Sequence, residues 1–242
     1  MLTRRNWIIF TLLVVGVFAL AGTSNLSRPS LEQTPSCGGP LLQAILSGDE
    51  TKAIRLVESR QNLNTKGCEG ARTPLIAAIG QKMPQVAKAL ILAGADPNIP
   101  SQNGVTPLMV ASTYCYDEVA RLLLDHGASV NDVDRVGTSA LMNASGSNAM
   151  CLDGRVVSHL LEAGAKLELR DSLGQTALIV ASFSGNESAV GQLVTAGAKL
   201  DVRTSDGKTA LQIARDRRIG RTQAHDRVVQ VLEEAVRNKQ PN

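Results

Sequence analysis

The chain has 242 residues and a formal net charge of +3; 43% of its residues are hydrophobic and only 2% are aromatic. A core with so few large rings must be built from Ala, Leu, Val and Ile, which suits thin helices packed in close layers. The small charge shows no basic excess of the kind that nucleic-acid binding requires, so we exclude nucleic acid as a partner.

The first element is an apolar run over residues 7–20, preceded by Arg4 and Arg5. It is shorter than the roughly 20 residues of a membrane span. It ends in Ala-Leu-Ala at residues 19–21, which is typical of a signal-peptide cleavage site. We predict a signal peptide over residues 1–21, with an uncleaved N-terminal membrane anchor as the alternative. Both interpretations place the remainder outside the cytoplasm, and short repeats behind a simple signal indicate a bacterial periplasmic protein.

A segment rich in Ser, Thr and Pro follows at residues 22–38, and we interpret it as a flexible linker. Beyond it, three markers recur at steps of 33 or 37 residues: a Leu with Ala three positions later, a Gly-Ala pair, and a Gly that opens each unit. These are Leu75, Leu108, Leu141, Leu178 and Leu211; Gly94, Gly127, Gly164 and Gly197; and Gly104, Gly137, Gly174 and Gly207. A fixed period of this length is the signature of stacked repeats that share one core.

Each unit has the pattern of a helical hairpin. In one of them Gly104 opens a turn, and Thr106 and Pro107 begin the first helix as a side-chain cap and a first-turn residue. Apolar residues at helical spacing from Val119 indicate a second helix. That helix stops at Gly127, which can adopt the positive φ of a C-terminal cap.

These residues resemble the ankyrin-repeat family, whose unit opens with G-x-TPLH-x-A and closes with LL-x-x-GA-x-x-N. The matches are TPL at 73–75 and 106–108, LILAGADPN at 90–98, LLLDHGASVN at 122–131, LLEAGA at 160–165, GQTAL at 174–178 and GKTAL at 207–211. The resemblance implies an all-α solenoid of about six helix-turn-helix units with short β-turn connections. The predicted units are 39–70, 71–103, 104–136, 137–173, 174–206 and 207–237, followed by a tail at 238–242.

The chain departs from the family pattern at one position. The family's His, which ties neighbouring units together, is replaced in every unit, by Ile76, Met109, Met142, Ile179 and Gln212. We therefore expect apolar packing to set the register between units. The last unit is also atypical, because its second helix, predicted over Asp226–Arg237, arrives late and is polar enough to cap the stack.

The four cysteines suggest two disulfide bonds, because an exported protein meets an oxidising compartment. Cys115 falls in the turn between the two helices of unit 3, and Cys151 in the corresponding turn of unit 4, which is longer by four residues. Stacked helices lie about 10 Å apart, and the insertion can close that gap. We predict Cys37–Cys68 and Cys115–Cys151, with four reduced thiols as the alternative, and no zinc site because C-x-x-C spacing is missing.

The sequence offers no catalytic constellation. His126 and His159 lie near the ends of second helices, where a structural role is common, and His225 has no catalytic partner. There is no nucleophile elbow and no phosphate-binding glycine loop. We expect a chain that is not an enzyme, with no cofactor, no metal and no small-molecule substrate.

The resemblance implies that a protein partner contacts the turn tips and the first, inner helices, which form a concave face. The tip positions are Gln102, Asn103, Arg135, Ser172, Leu173, Asp206 and Lys208, and the ends of first helices present Thr113, Tyr114 and Phe183. Tyr114, Tyr116 and Phe183 are the expected anchors, since binding hot spots favour large rigid side chains. The alternative is that Tyr114 and Tyr116 pack around the turn at Cys115.

The sequence therefore predicts an exported protein-interaction module. Its partner is unidentified, and two kinds fit: a resident periplasmic enzyme that the module supports, or a toxin delivered to the periplasm, which would make the chain an immunity protein. A membrane-tethered envelope scaffold is a further alternative if the N-terminal segment is retained. We expect the chain to associate with a membrane only in that case. A neighbouring gene for an oxidative-stress enzyme or for a secreted effector would separate the first two.

Overall fold

The computed structural model describes residues 38–60, 62–67, 72–146, 153–216 and 222–239, all of which belong to one compact unit over residues 36–242. These residues form twelve helices that pair into six successive hairpins. The first helices of the hairpins are α1 (Gly39–Leu46), α3 (Pro74–Gly80), α5 (Pro107–Tyr114), α7 (Ala140–Ser145), α9 (Ala177–Ser184) and α11 (Ala210–Ala214). The second helices are α2 (Glu50–Glu58), α4 (Pro84–Leu92), α6 (Asp117–Asp125), α8 (Arg155–Glu162), α10 (Glu187–Thr195) and α12 (Gln223–Lys239).

The predicted all-α solenoid is confirmed. First helices pack against first helices and second against second, unit after unit. Within the described ranges there is no β-strand, and the connections are turns with a single isolated bridge between Val133 and Ser139. No helix in this part of the chain has the length and apolar character needed to cross a membrane.

A hydroxyl side chain precedes every first helix except α1, which follows Gly38. Thr73, Thr106 and Ser139 each accept a hydrogen bond from the backbone N–H three residues later, at 3.3 Å in all three cases. Pro74 and Pro107 occupy the first helical position, where the missing N–H costs nothing. The start predicted at Thr106 and Pro107 is confirmed.

The core is a continuous column of aliphatic side chains. The marker residues Leu75, Leu108, Leu141 and Leu178 are almost completely buried, and so are the Ala residues three positions after each marker. Ala at that position lets neighbouring helices approach closely. A Leu→Ala change at one of the markers is of the kind that costs about 2–5 kcal/mol.

The expectation that apolar packing sets the register is incomplete, because polar side chains also bridge consecutive units. The Asn98 side chain donates to the Gly127 carbonyl at 2.9 Å and accepts from the Ser129 N–H at 2.8 Å. Asn131 makes the same two bonds one unit later, at 3.2 and 2.7 Å. Asn64 contributes the accepting half, at 2.9 Å to the Asp96 N–H. We call this series the asparagine ladder; the Asn amide fits it because it carries a donor and an acceptor side by side.

Glu168 occupies the next step of the asparagine ladder and breaks its pattern. Its Oε1 accepts from the Lys199 N–H at 2.8 Å, as the asparagines would. Its Oε2 is buried and has no hydrogen-bond partner within the described ranges. A carboxylate has no N–H to donate, so the bond that Asn131 makes to the Gly164 carbonyl has no counterpart here.

Substituting Glu168→Gln should therefore stabilise the protein. The Gln amide keeps the acceptor and restores a donor at the buried position, which we expect to raise the free energy of unfolding by about 1 kcal/mol. Thermal unfolding should shift upward by about 2–4 °C. The matched control is Glu58→Gln on the exposed end of α2, which should leave stability unchanged. Equal stability of the Glu168 variant and the wild type would contradict the proposed mismatch.

The helix that closes the solenoid is longer than predicted: α12 begins at Gln223, not Asp226, and extends to Lys239. The reason is a local cap that the sequence did not reveal. The Thr222 N–H donates to Nδ1 of His225 at 3.3 Å, and the buried imidazole places Nε2 at 2.9 Å from the Phe183 carbonyl. His225 thus fixes the first turn of α12 against the end of α9.

Candidate protein-binding surface

The turn tips of successive units are joined into one continuous edge. Each tip donates one backbone N–H to a carbonyl of the tip before it, at 3.0, 2.8 and 2.8 Å: Arg135 to Asn103, Ser172 to Val136, and Ser205 to Leu173. We call this row of tips the tip edge. Because its backbones are bonded in series, its side chains have fixed spacing along the solenoid.

Two carboxylates of the tip edge are turned into their own turns. Asp134 Oδ1 accepts from the N–H groups of Val136 and Thr138, at 3.0 and 2.8 Å. Asp171 Oδ1 accepts in the same way from Leu173 and Gln175, at 2.9 and 2.8 Å. An Asp in this role shapes the turn and satisfies backbone donors. These carboxylates therefore have less capacity left to accept hydrogen bonds from a partner.

The predicted tip residues differ in their accessibility. Gln102, Asn103, Arg135, Ser172 and Asp206 are exposed, whereas Leu173 and Lys208 are half-buried. The ammonium of Lys208 lies 2.6 Å from a carboxylate oxygen of Asp216, and the Asp206 carboxylate accepts from the Thr204 hydroxyl. Both charged residues of the last tip are thus already engaged within their own unit.

The first helices form a surface without formal charge. None of α1, α3, α5, α7, α9 and α11 contains Asp, Glu, Lys, Arg or His. Their partly accessible side chains in units 3 to 5 are small polar or apolar groups. We call this set the first-helix face: Val110, Thr113, Tyr114, Asn143, Val180 and Phe183.

The charged side chains lie on the second helices and in the turns, and several of those on the second helices pair between units. Lys88 of α4 lies 2.8 Å from Glu118 of α6, and its hydrogen bond lowers the pKa of that carboxyl. Asp117 accepts from Arg155 at 3.2 Å and lies 2.7 Å from Nε2 of His159. Among the helices described, formal charge is thus confined to the second helices, and the first helices are neutral.

Tyr114 and Tyr116 stack on each other, with ring centroids 5.7 Å apart and planes inclined by 25°. Burial raises the pKa of both phenols, and for Tyr114 the Arg72 guanidinium opposes part of this rise. Tyr116 and Phe183 are half-buried and pack against the core. Tyr114 is also half-buried, and of the two stacked tyrosines it is the one that lies on a first helix, since Tyr116 precedes α6.

The stacking of the two tyrosines around one turn agrees in part with the alternative that they pack about Cys115. Cys115 ends α5 in a left-handed conformation, with φ of 52°, and it is disulfide-bonded. Cys37, Cys68 and Cys151 lie outside the described residues, so Cys37–Cys68 and Cys115–Cys151 stay predictions. Thr113 is half-buried, and its hydroxyl donates to the Met109 carbonyl of its own helix at 2.9 Å.

The predicted partner-binding residues do not form a single contiguous patch in the structure. The tip residues precede the first helices, and Thr113, Tyr114 and Phe183 lie at or near the far ends of those helices. An eight-residue helix is about 12 Å long, so the two groups are separated by that length of neutral surface. The candidate surface therefore has three parts: the tip edge, the first-helix face, and the tyrosine pair.

Sequence reasoning missed two residues of the tip edge, Val133 and Val136. Their side chains are 43% and 45% exposed on either side of Arg135. The position of Val136 within the repeat could have indicated its exposure, because the equivalent residues of units 2 and 5 are the polar Asn103 and Asp206. Nothing in the local sequence distinguishes an exposed valine from a buried one.

The histidines all contact other groups of the protein. His126 Nδ1 lies 2.9 Å from the Leu122 carbonyl at the end of α6, the helix-terminal position that was expected. His159 lies in the last turn of α8, which was also expected, and it joins units 3 and 4 through Asp117. Within the described ranges, no three His, Cys, Asp or Glu side chains are grouped as metal ligands.

Comparison with known proteins agrees with this architecture. The family model of ankyrin repeats (3 copies) matches residues 41–134, 75–152 and 141–237. Solved structures with the same fold include the crystal structure of EF0377, an ankyrin repeat protein, with 26% sequence identity and a TM-score of 0.66; the alignment covers 81% of this chain and 98% of that one. No curated protein sequence matches.

The solenoid and these matches define a repeat protein of the interaction-module class. The chain belongs to the ankyrin-repeat family. Ankyrin repeats are modules for protein–protein interaction and are generally non-catalytic, so the coarse function predicted from the sequence is confirmed.

Proposed function

We propose that the chain is an exported, non-catalytic module that binds a periplasmic protein through the first-helix face and the tip edge, and that supports a resident enzyme. The observation that carries the proposal is the neutrality of the first helices. In a chain with 22 acidic and 25 basic residues, the first helices hold none of them. A neutral surface that includes an accessible aromatic ring is suited to a partner that buries apolar area on it.

Export is supported by two features. The apolar run at residues 7–20 with its Ala-Leu-Ala end has the form of a signal sequence, and a disulfide-bonded cysteine suits an oxidising compartment. Sequencing the N-terminus of the chain recovered from the envelope tests whether the signal peptide is cleaved. A start at Gly22 is expected, and a retained residue 1 would favour the membrane-tethered scaffold instead.

Capture of partners with the exported chain tests the binding surface. Tyr114→Ala should reduce the recovery of a specific partner by about tenfold or more, because the substitution removes an aromatic ring from the first-helix face. The matched control is Arg121→Ala on α6, an exposed residue 3.6 Å from Asp125 in a pair that contributes little to stability. Both variants should unfold within a few degrees of the wild type.

The identity of the captured protein decides between the two roles. A resident enzyme of the envelope supports the proposed function, whereas a delivered effector would make the chain an immunity protein. Equal recovery by the wild type and the Tyr114 variant would place the binding surface elsewhere.

A further inference from the structure

The tip at the end of unit 3 concentrates exposed apolar surface in one turn. Only four large hydrophobic side chains are exposed within the described ranges: Leu46, Leu92, Val133 and Val136. Two of the four lie in the same turn, on either side of Arg135, while Leu46 and Leu92 lie singly at helix ends. Single exposed apolar residues need no explanation, but a cluster at an accessible edge does.

The same turn carries a guanidinium that the protein does not use. Apart from its backbone N–H, Arg135 has no hydrogen-bond or ion-pair partner among the described residues, whereas other cations of the tip edge are engaged. Arg170 donates to the Gly174 carbonyl at 3.2 Å and Arg203 to the Gly207 carbonyl at 2.7 Å. The neighbouring Asp134 does not pair with Arg135, since its Oδ1 accepts two backbone N–H groups.

The apolar surface continues into the next unit. Leu173 occupies in unit 4 the position that Val136 has in unit 3, and the Ser172 N–H donates to the Val136 carbonyl at 2.8 Å, which fixes the two tips side by side. The equivalent residues in units 2 and 5 are Asn103 and Asp206. The apolar strip is therefore limited to the tips that end units 3 and 4, with one available guanidinium beside it.

We infer that this strip recognises a protein segment in which a carboxylate stands next to an aliphatic or aromatic side chain. The carboxylate pairs with Arg135, whose planar fork suits bidentate contact, and the apolar side chain covers Val133, Val136 and Leu173. This inference rests on the proposed function, because it specifies what the partner presents to the tip edge. Asp or Glu beside Leu, Ile, Val or Phe is the expected motif.

Selection from a random peptide library displayed on phage tests the motif directly. Peptides are selected on the purified chain, and counter-selected on Arg135→Gln. Their affinities are then measured by fluorescence anisotropy on four proteins: wild type, Arg135→Gln, Val136→Ser and Arg55→Gln. Arg55 is the matched control, since it is exposed on α2 and its side chain has no partner among the described residues.

The recovered peptides should share the acid-next-to-apolar motif. Their affinity for Arg135→Gln should be at least about tenfold lower than for the wild type. Their affinity for Val136→Ser should be several-fold lower, and their affinity for Arg55→Gln should equal that for the wild type. Peptides without the motif, peptides that bind wild type and Arg135→Gln equally, or no selectable peptide at all would each overturn the inference. A native partner that depends on Tyr114 but not on Arg135 would also overturn it, while leaving the proposed function intact.

Discussion

Replacing Gly137 with Ala should lower the free energy of unfolding by about 2–5 kcal/mol, the largest single effect we expect at the tips. Gly137 has φ of +83°, and an added Cβ would lie 2.8 Å from the Arg170 carbonyl oxygen and 3.0 Å from the Asp171 Cα. The left-handed conformation costs an L-residue about 1–2 kcal/mol. Overpacking against the backbone of the next tip adds about 1–3 kcal/mol, because a hydrogen-bonded tip cannot move aside as a flexible side chain could.

Gly207 provides the matched control for this prediction. It occupies the equivalent position of the last unit with φ of +80°, and a Cβ there would meet nothing within 4 Å. Gly207→Ala should therefore lose only the conformational part, about 1–2 kcal/mol. Urea unfolding of the two variants beside the wild type measures the difference. Equal losses would mean that contact between successive tips contributes nothing to the stability of the solenoid.

Asn186→Ala should cost about 2–4 kcal/mol, the largest effect expected from a polar side chain. Asn186 is 0% exposed, and it serves two elements at once. Its Oδ1 accepts from the Ala189 N–H at 3.1 Å and caps α10, while its Nδ2 donates to the Ser145 carbonyl of unit 4 at 3.4 Å. Loss of the cap contributes about 0.5–2 kcal/mol, and a buried carbonyl without a donor about 1–3 kcal/mol.

Asn186→Asp separates these two contributions. The carboxylate can still cap α10, but it cannot donate to Ser145, and burial disfavours its charge. Burial raises the folded-state pKa of such an Asp above its unfolded value, so the folded protein binds the proton more readily. The deficit relative to wild type should therefore shrink as the pH falls, because the protonated carboxyl regains a donor. Asn103→Ala, at an exposed tip, should not change stability, and a pH-independent deficit for the Asp variant would contradict the buried donor.

The repeat architecture could be predicted because every unit has the same local structural requirements and meets them with similar residues at equivalent positions. Each first helix needs a start, as at Thr106 and Pro107, and each step needs a small residue such as Ala111 to admit its neighbour. These requirements are local in sequence, so they recur as a period that can be read directly. The neutral first helices were equally visible, since charge is a property of the residues alone.

The features that escaped prediction depend on contacts one unit away. Asn98 and Asn131 stand in equivalent slots, but their partners are backbone groups of the following unit, so no local pattern links donor to acceptor. The cap formed by Thr222 and His225 was hidden because it requires the Phe183 carbonyl of another unit. Exposure at Val133 and Val136 is likewise set by how tips align. The binding role of Tyr114, Arg135 and the other tip residues stays a prediction.

Because the first helices are neutral, varying the ionic strength can separate their contribution to binding from that of the tip edge. Salt screens the attraction between Arg135 and a carboxylate within a Debye length of about 8–10 Å. It does not weaken the burial of apolar area against Val180 or Tyr114, and salting-out anions strengthen it. A loss of affinity in moderate salt therefore reports on binding at the tip edge. The affinity that remains in salt comes from the first-helix face. The same salt screens the ion pairs of the second helices, whose contribution to stability is small, so the two sides of the solenoid respond to the solvent independently.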